Sequence, residues 1–382
     1  VTTFPKSWCF GVGCLAFEYK ERPIEFTLGE WAAEVRASLE KISTIDEIDI
    51  AVENSQARYK QKASLAEGEV ATSSAGAFLT QRFIPQVVGQ RISFEISITS
   101  RLHEQFIGAR KLRAERFRVD VHYAYYGPVA FIACLEPKAA RGAGSAAVVL
   151  VRKFLADALE KSDGNIRLSV LGPSPFHASF YALPAQVDGE ETISRFTWEE
   201  GPRAGYRSAA IHYSDLPDAS SIDVWKELQW VLADEFSAFY AVMQRRLRRM
   251  KNNSLVFQQT EELVAASTAG GFKGWFTRVF KTAARSRGLG LLAMQAQLMT
   301  ISDDEFAQER LTALPRETRT LGIALEEIKQ ASTYAETDAV DSALAMVKFL
   351  ESGRSRDFEV AVIAASTTLG AVAGALAAVI AG

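Results

Sequence analysis

The chain has 382 residues, enough for about two or three domains and a sizeable core. Its 48% hydrophobic and 23% charged residues exclude wholesale disorder, and a formal net charge of -3 gives no global pull toward nucleic acid. Three cysteines (Cys9, Cys14, Cys134) without a Cys-x-x-Cys pair predict a reducing compartment. His103, His122, His177 and His212 are scattered and have no Cys or His neighbour at metal-ligand spacing.

Lys6 and the apolar run Trp8 to Phe17 faintly suggest a leader, but Gly11 and Glu18 argue for a first strand over Gly13 to Tyr19. Thr27 caps a helix expected to run to Ser43, with Leu28, Trp31, Val35, Leu39 and Ile42 on one face. Residues 44–88 read as a weak strand or helix plus loop. Arg91 to Ser100 alternates as a half-buried strand. Phe117 to Tyr125 and Val129 to Leu135 form an expected hairpin around Gly127-Pro128. A helix from Ser145 to Lys161 precedes strands at Ile166 to Leu171, Ala178 to Leu183, Ile193 to Trp198 and Arg207 to Tyr213. This mixed order predicts an α+β domain over 1–217, with a mixed or antiparallel sheet and helices.

From Ser221 a helix is expected to about Lys251, its apolar stripe running from Trp225 and Leu228 to Leu247 and Met250. Further helices, punctuated by Gly270-Gly271, Gly288 and Pro315, include Thr318 to Tyr334 and Ala339 to Leu350. An all-α stalk or bundle over 218–357 follows, then a C-terminal apolar helix over 358–382.

That last segment carries the most physics. No charge occurs from Val360 to Gly382, 23 residues, and a helix of that length spans roughly 34 Å at about 1.5 Å per residue, enough for a hydrocarbon core. Lys348, Arg354 and Arg356 precede it, which keeps the N-terminal region cytoplasmic under the positive-inside rule. Gly370, Gly374, Ala378 and Gly382 line one side at four-residue spacing and predict contact between copies. A buried helix of a soluble bundle, or a flexible end, is the competing account.

Three weaker features remain. Phe272 to Arg287 joins an aromatic face (Trp275, Phe276, Phe280) to cations (Lys273, Arg278, Lys281), which suits an anionic bilayer surface or equally a core helix with snorkelling cations. Arg245, Arg246, Arg248, Arg249 and Lys251 form a basic patch that could meet phosphate, headgroups or RNA, although the solvated end of a long helix explains them more simply. Gly142, Gly144 and Ser145 sit between a strand and a helix, where backbone N–H groups can meet a phosphate. The fingerprint is incomplete and names no cofactor. No catalytic motif is visible.

The order of a strand-rich domain, helices, and an apolar segment entered from the basic junction Arg354 to Val362 resembles the CorA-type cation channels. The resemblance implies a homo-oligomer whose soluble domain controls a membrane segment. It does not imply magnesium transport, since the family's second span and Gly-Met-Asn signature are missing from this sequence. The expected function is therefore a homo-oligomeric protein of the cytoplasmic membrane, channel-like or membrane-permeabilising, as in a bacterial defence effector. A tail-anchored enzyme and a cytoplasmic, soluble helical assembly protein are the alternatives. The expected partners are the lipid bilayer, further copies, and an unidentified ligand or protein.

Overall fold

The computed structural model describes residues 4–21, 25–60, 90–108, 112–124, 127–136, 143–169, 178–185, 196–201, 207–214, 220–268, 282–314, 320–333 and 340–348. The described residues up to 247, together with 306–333, make one compact unit, and 248–305 with 340–348 make another. The architecture is α+β: a largely antiparallel sheet with helices, followed by a helical region.

In chain order the first unit contains β1 (Trp8–Gly13), β2 (Ala16–Tyr19), β3 (Glu25–Thr27), α1 (Leu28–Glu40), β4 (Ile45–Ala51), β5 (Arg58–Lys60), β6 (Gln90–Ser97), α2 (Ser100–Ile107), β7 (Arg116–Ala124), β8 (Gly127–Cys134), α3 (Ala143–Lys161), β9 (Ile166–Ser169), β10 (Ala178–Ala185), β11 (Phe196–Gly201) and β12 (Arg207–Ser214). Then come α4 (Ser221–Thr268), α5 (Thr282–Ala313), α6 (Leu325–Thr333) and a last helix, α7, over 340–348.

Eight strands form one sheet in the order β11-β12-β10-β1-β8-β7-β6-β4, and every pairing is antiparallel except β10 with β12. The run that could pass for a leader is instead a central strand. β1 is buried on both faces, which is why its sequence lacks polar alternation. The strand expected over Gly13 to Tyr19 is shorter, since Gly13 ends β1 and only Ala16–Tyr19 forms β2, which pairs with β9 outside the large sheet. The segment after residue 44 supplies the edge strand β4. The short helix α2 was not expected from the pattern.

Side-chain alternation sends two cores to opposite faces of the sheet. Phe10, Val12, Phe131, Phe180 and Ile211 meet Trp225, Leu228, Leu232 and Phe236 of α4, with Ala307, Leu314 and Ile328 in the same cluster. On the other face Ile92, Phe94, Val119, Val121 and Ile132 meet Trp31 and Val35 of α1 and Val148, Val151 and Leu155 of α3. Thr27 caps α1 as expected, and the structure adds a reciprocal capping box with Glu30; α1 buries the face foreseen for it.

α4 extends well past Lys251, to Thr268. α6 is shorter than the helix expected from Thr318, because residues 320–322 run as irregular chain held by α4. In the second unit, Val256 and Leu263 of α4 pack with Leu289, Leu292, Ala293 and Ala296 of α5 and with Val340 and Ala343 of α7.

Candidate binding surface on the sheet face

β6 and β7 put their apolar residues on the α1/α3 side, so their alternate positions form a polar row on the α4 side. The register pairs Arg91 with His122, Ser93 with Asp120 and Glu95 with Arg118. A bulge in β4 between Asp46 and Asp49, with Glu47 at φ 51°, adds a second carboxylate edge. Arg91 bonds Asp49 at 3.1 Å, Arg116 bonds Glu95 at 3.0 Å, and Arg118 lies 3.7 Å from Glu47 and 3.5 Å from Asp120.

α4 is fastened to the inner end of this row by side-chain hydrogen bonds. Trp225 Nε1–H donates to Asp120 Oδ2 at 2.8 Å, while Ser93 Oγ–H donates to Asp120 Oδ1 at 2.5 Å. His122 Nε2 and Gln229 Oε1 are 2.9 Å apart. Burial pushes the His122 pKa below its ordinary value, against the opposing pull of Gln229 and Asp120, so the neutral ring donates to the Gln229 carbonyl. The Gln229 Nε2 group is buried and has no hydrogen-bond partner among the described residues.

The outer end stays open. The side chains of Arg116 and Asp49 are 52% and 60% exposed, whereas Arg118 is only 14% exposed. At the fastened end, Trp230, whose ring centroid lies 6.2 Å from that of His122, is also 59% exposed. An exposed tryptophan beside paired charges of both signs is chemistry for binding a polar partner, since aromatic anchors and arginines carry most contact energy. Among the described residues Ser93 faces the Asp120 carboxyl group rather than an imidazole.

α4 is clamped a second time. Glu235, fully buried, accepts backbone N–H bonds from Leu321, Gly322 and Ala324 at 3.2, 2.9 and 2.5 Å, with Gly322 at φ 75°. Burial raises its pKa, and the three amides pull the other way. Tyr240 O–H also reaches the Val12 carbonyl on the sheet at 3.0 Å.

The sequence-predicted site residues fall elsewhere. Gly144 and Ser145 open α3, while Gly142 lies outside the described residues. Gly144 is buried against β1: a Cβ there would sit 2.1 Å from the Phe10 carbonyl oxygen, so helix–strand packing accounts for this glycine. In the basic patch, Arg249 is buried and pairs with Asp304 at 2.9 Å, and Arg245 stacks 3.9 Å over the Phe306 ring. Arg246 is half-buried, Lys251 is exposed, and the Arg248 side chain lies outside the described set. Lys273, Trp275, Phe276, Arg278, Phe280 and Lys281 lie outside the described residues, as do Gly370, Gly374, Ala378 and Gly382.

Among the described residues no group of His, Cys, Asp and Glu is placed to hold a metal ion. The three cysteines are buried and form no disulfide. Burial pushes the Cys14 thiol up to about 12, and its Sγ–H points at the Pro128 carbonyl, so it is inert at neutral pH. Sequence reasoning missed Asp120, His122, Trp225 and Gln229. The available signal was a row of both charge signs at alternate positions of two neighbouring strands. No family model, curated protein or solved structure matches the chain.

Proposed function

We propose that the sheet unit is a sensing domain, that α4 carries its state onward, and that the C-terminal segment acts at a membrane as part of a homo-oligomer. The observation that carries this reading is the fastening of α4. Its Trp225 and Gln229 bind the same polar row, through Asp120 and His122, whose outer end and Trp230 are open to a partner. A partner that re-pairs Arg118 or Arg91 changes the hydrogen bonds that seat α4, and differential affinity for two seatings is what moves such an equilibrium. α4 itself continues beyond Leu247, where the second unit begins.

The membrane part rests on the sequence, with an uncharged stretch from Val360 to Gly382 after Arg354 and Arg356. Among the described residues no helix is long and apolar enough to cross a membrane, and 349–382 lie outside them. The N-terminal region faces the cytoplasm in this reading, and the membrane segment forms or perturbs a path through the bilayer.

The test compares the full chain with one ending at Ser352, by membrane fractionation and by dye release from liposomes. The full chain is expected to partition with membranes and release dye, and the shorter chain to do neither. Membrane partition without release reduces the segment to a tether. Identical partition of both chains into the aqueous fraction refutes the membrane role.

A further inference from the structure

α5 has two apolar faces. One is used inside the second unit, where Leu289, Leu292, Ala293 and Ala296 are buried. The other lies on the opposite side: Leu291, Met294, Leu298 and Ile301 are 67%, 56%, 66% and 51% exposed. From Gly288 to Ser302 the helix has no charged residue at all. A helix that is apolar on two opposite sides packs between two partners, and among the described residues only one is supplied.

The exposed stripe has an ordered pattern. Arg287, Leu291, Met294, Leu298, Ile301 and Glu305 follow one another at alternating steps of four and three, a heptad seam ending in opposite charges. At about 100° per residue they stay within an arc of roughly 80°. Arg287 and Glu305 are both exposed.

We propose that this stripe is a self-complementary interface that pairs α5 antiparallel with α5 of a second copy. About a twofold axis at Ala296, Leu291 meets Ile301, Met294 meets Leu298, and Arg287 meets Glu305, each contact occurring twice. Such an isologous contact closes as a dimer. The end charges select the direction. A parallel pair sets Arg287 against Arg287 and Glu305 against Glu305, whereas the antiparallel pair neutralises both. They also argue against a bilayer as the occupant, because Glu305 ends the stripe and Asp304 adjoins it, and anionic headgroups repel both. Gly288, Gly290, Gln295 and Gln297 flank the seam with no like charges to oppose close approach. The pairing needs no membrane and stands apart from the reading of the C-terminal segment.

The experiment measures the sedimenting mass of the full chain in dodecyl maltoside at micromolar concentration. Leu298→Glu is expected to halve the mass while membrane partition stays unchanged. Arg287→Glu and Glu305→Arg should each weaken self-association at least about 10-fold, since each sets like charges together twice. An equimolar mixture of those two variants should restore it, because every Glu then faces an Arg. A wild-type chain that does not self-associate, an unchanged mass for Leu298→Glu, or no recovery in the mixture overturns the pairing. Loss of binding to phosphatidylserine vesicles by Leu298→Glu at unchanged mass makes the stripe a lipid surface instead.

Discussion

Gly144→Ala separates a packing glycine from a phosphate-binding one. The added Cβ would lie 2.1 Å from the Phe10 oxygen and 3.1 Å from the Gly11 nitrogen, both backbone atoms of a central strand. Reciprocally, a Cβ on Gly11 would lie 2.2 Å from the Gly144 oxygen. No rotamer change relieves a backbone clash, so α3 must retreat by roughly 1.3 Å or more to regain ordinary contact. Ala147, Val148, Val151, Leu155 and Leu159 are all buried on α3, and a retreat loosens that whole side of the core. Overpacking costs about 1–3 kcal/mol, and a backbone contact of this depth belongs at the upper end. At about 3 kcal/mol the expected fall in melting temperature is roughly 6–12 °C for a unit of this size. Ser145→Ala, at a half-buried position, should cost under about 0.5 kcal/mol. Scanning calorimetry with and without inorganic phosphate reads both effects. If Gly144→Ala melts within about 2 °C of wild type, and phosphate stabilises only the wild type, the packing argument fails.

Other expectations concern the fastening of α4 and the basic patch. Trp225→Phe keeps an aromatic ring but removes the indole N–H donor to buried Asp120 and leaves core space, so urea unfolding should show a loss of at least about 1–3 kcal/mol. The His122 pKa is depressed in the folded chain, so the unfolded chain takes up the proton first as pH falls. Its contribution is therefore present above about pH 6.5 and is lost as pH drops through the lower folded value. His122→Gln should flatten the stability profile between about pH 6.5 and 5, and an unchanged slope excludes this residue as the cause. Arg249→Ala should destabilise by about 1–2 kcal/mol, because it strips a partner from Asp304 and leaves buried space. Lys251→Ala, at an exposed position, should stay within about 0.5 kcal/mol of wild type, and equal effects of the two would restore the picture of a uniformly solvated patch.

Local chemistry made much of the fold legible in the sequence. The Thr27 cap, the strand alternation of β6 and β7 and the aromatic stripe of α4 are near-neighbour patterns, so α1, the hairpin and the long helix follow from residues a few positions apart. The α+β character follows from their order. What the pattern could not decide is which partner each face meets. β1 reads as a lone apolar run, and only pairing with β8 and β10, strands more than a hundred residues away, makes it central. Gly144 reads as a ligand loop until Phe10 arrives beneath it, and Arg249 reads as solvated until Asp304 closes on it from another helix. Asp120 and His122 read as the wet side of a strand until Trp225 and Gln229 seat on them, 105 and 107 positions along the chain. A sequence states what a side chain can bond, through its donors, acceptors, charge and apolar area. Which bond forms depends on groups brought together by chain closure, and only the tertiary structure sets those neighbours.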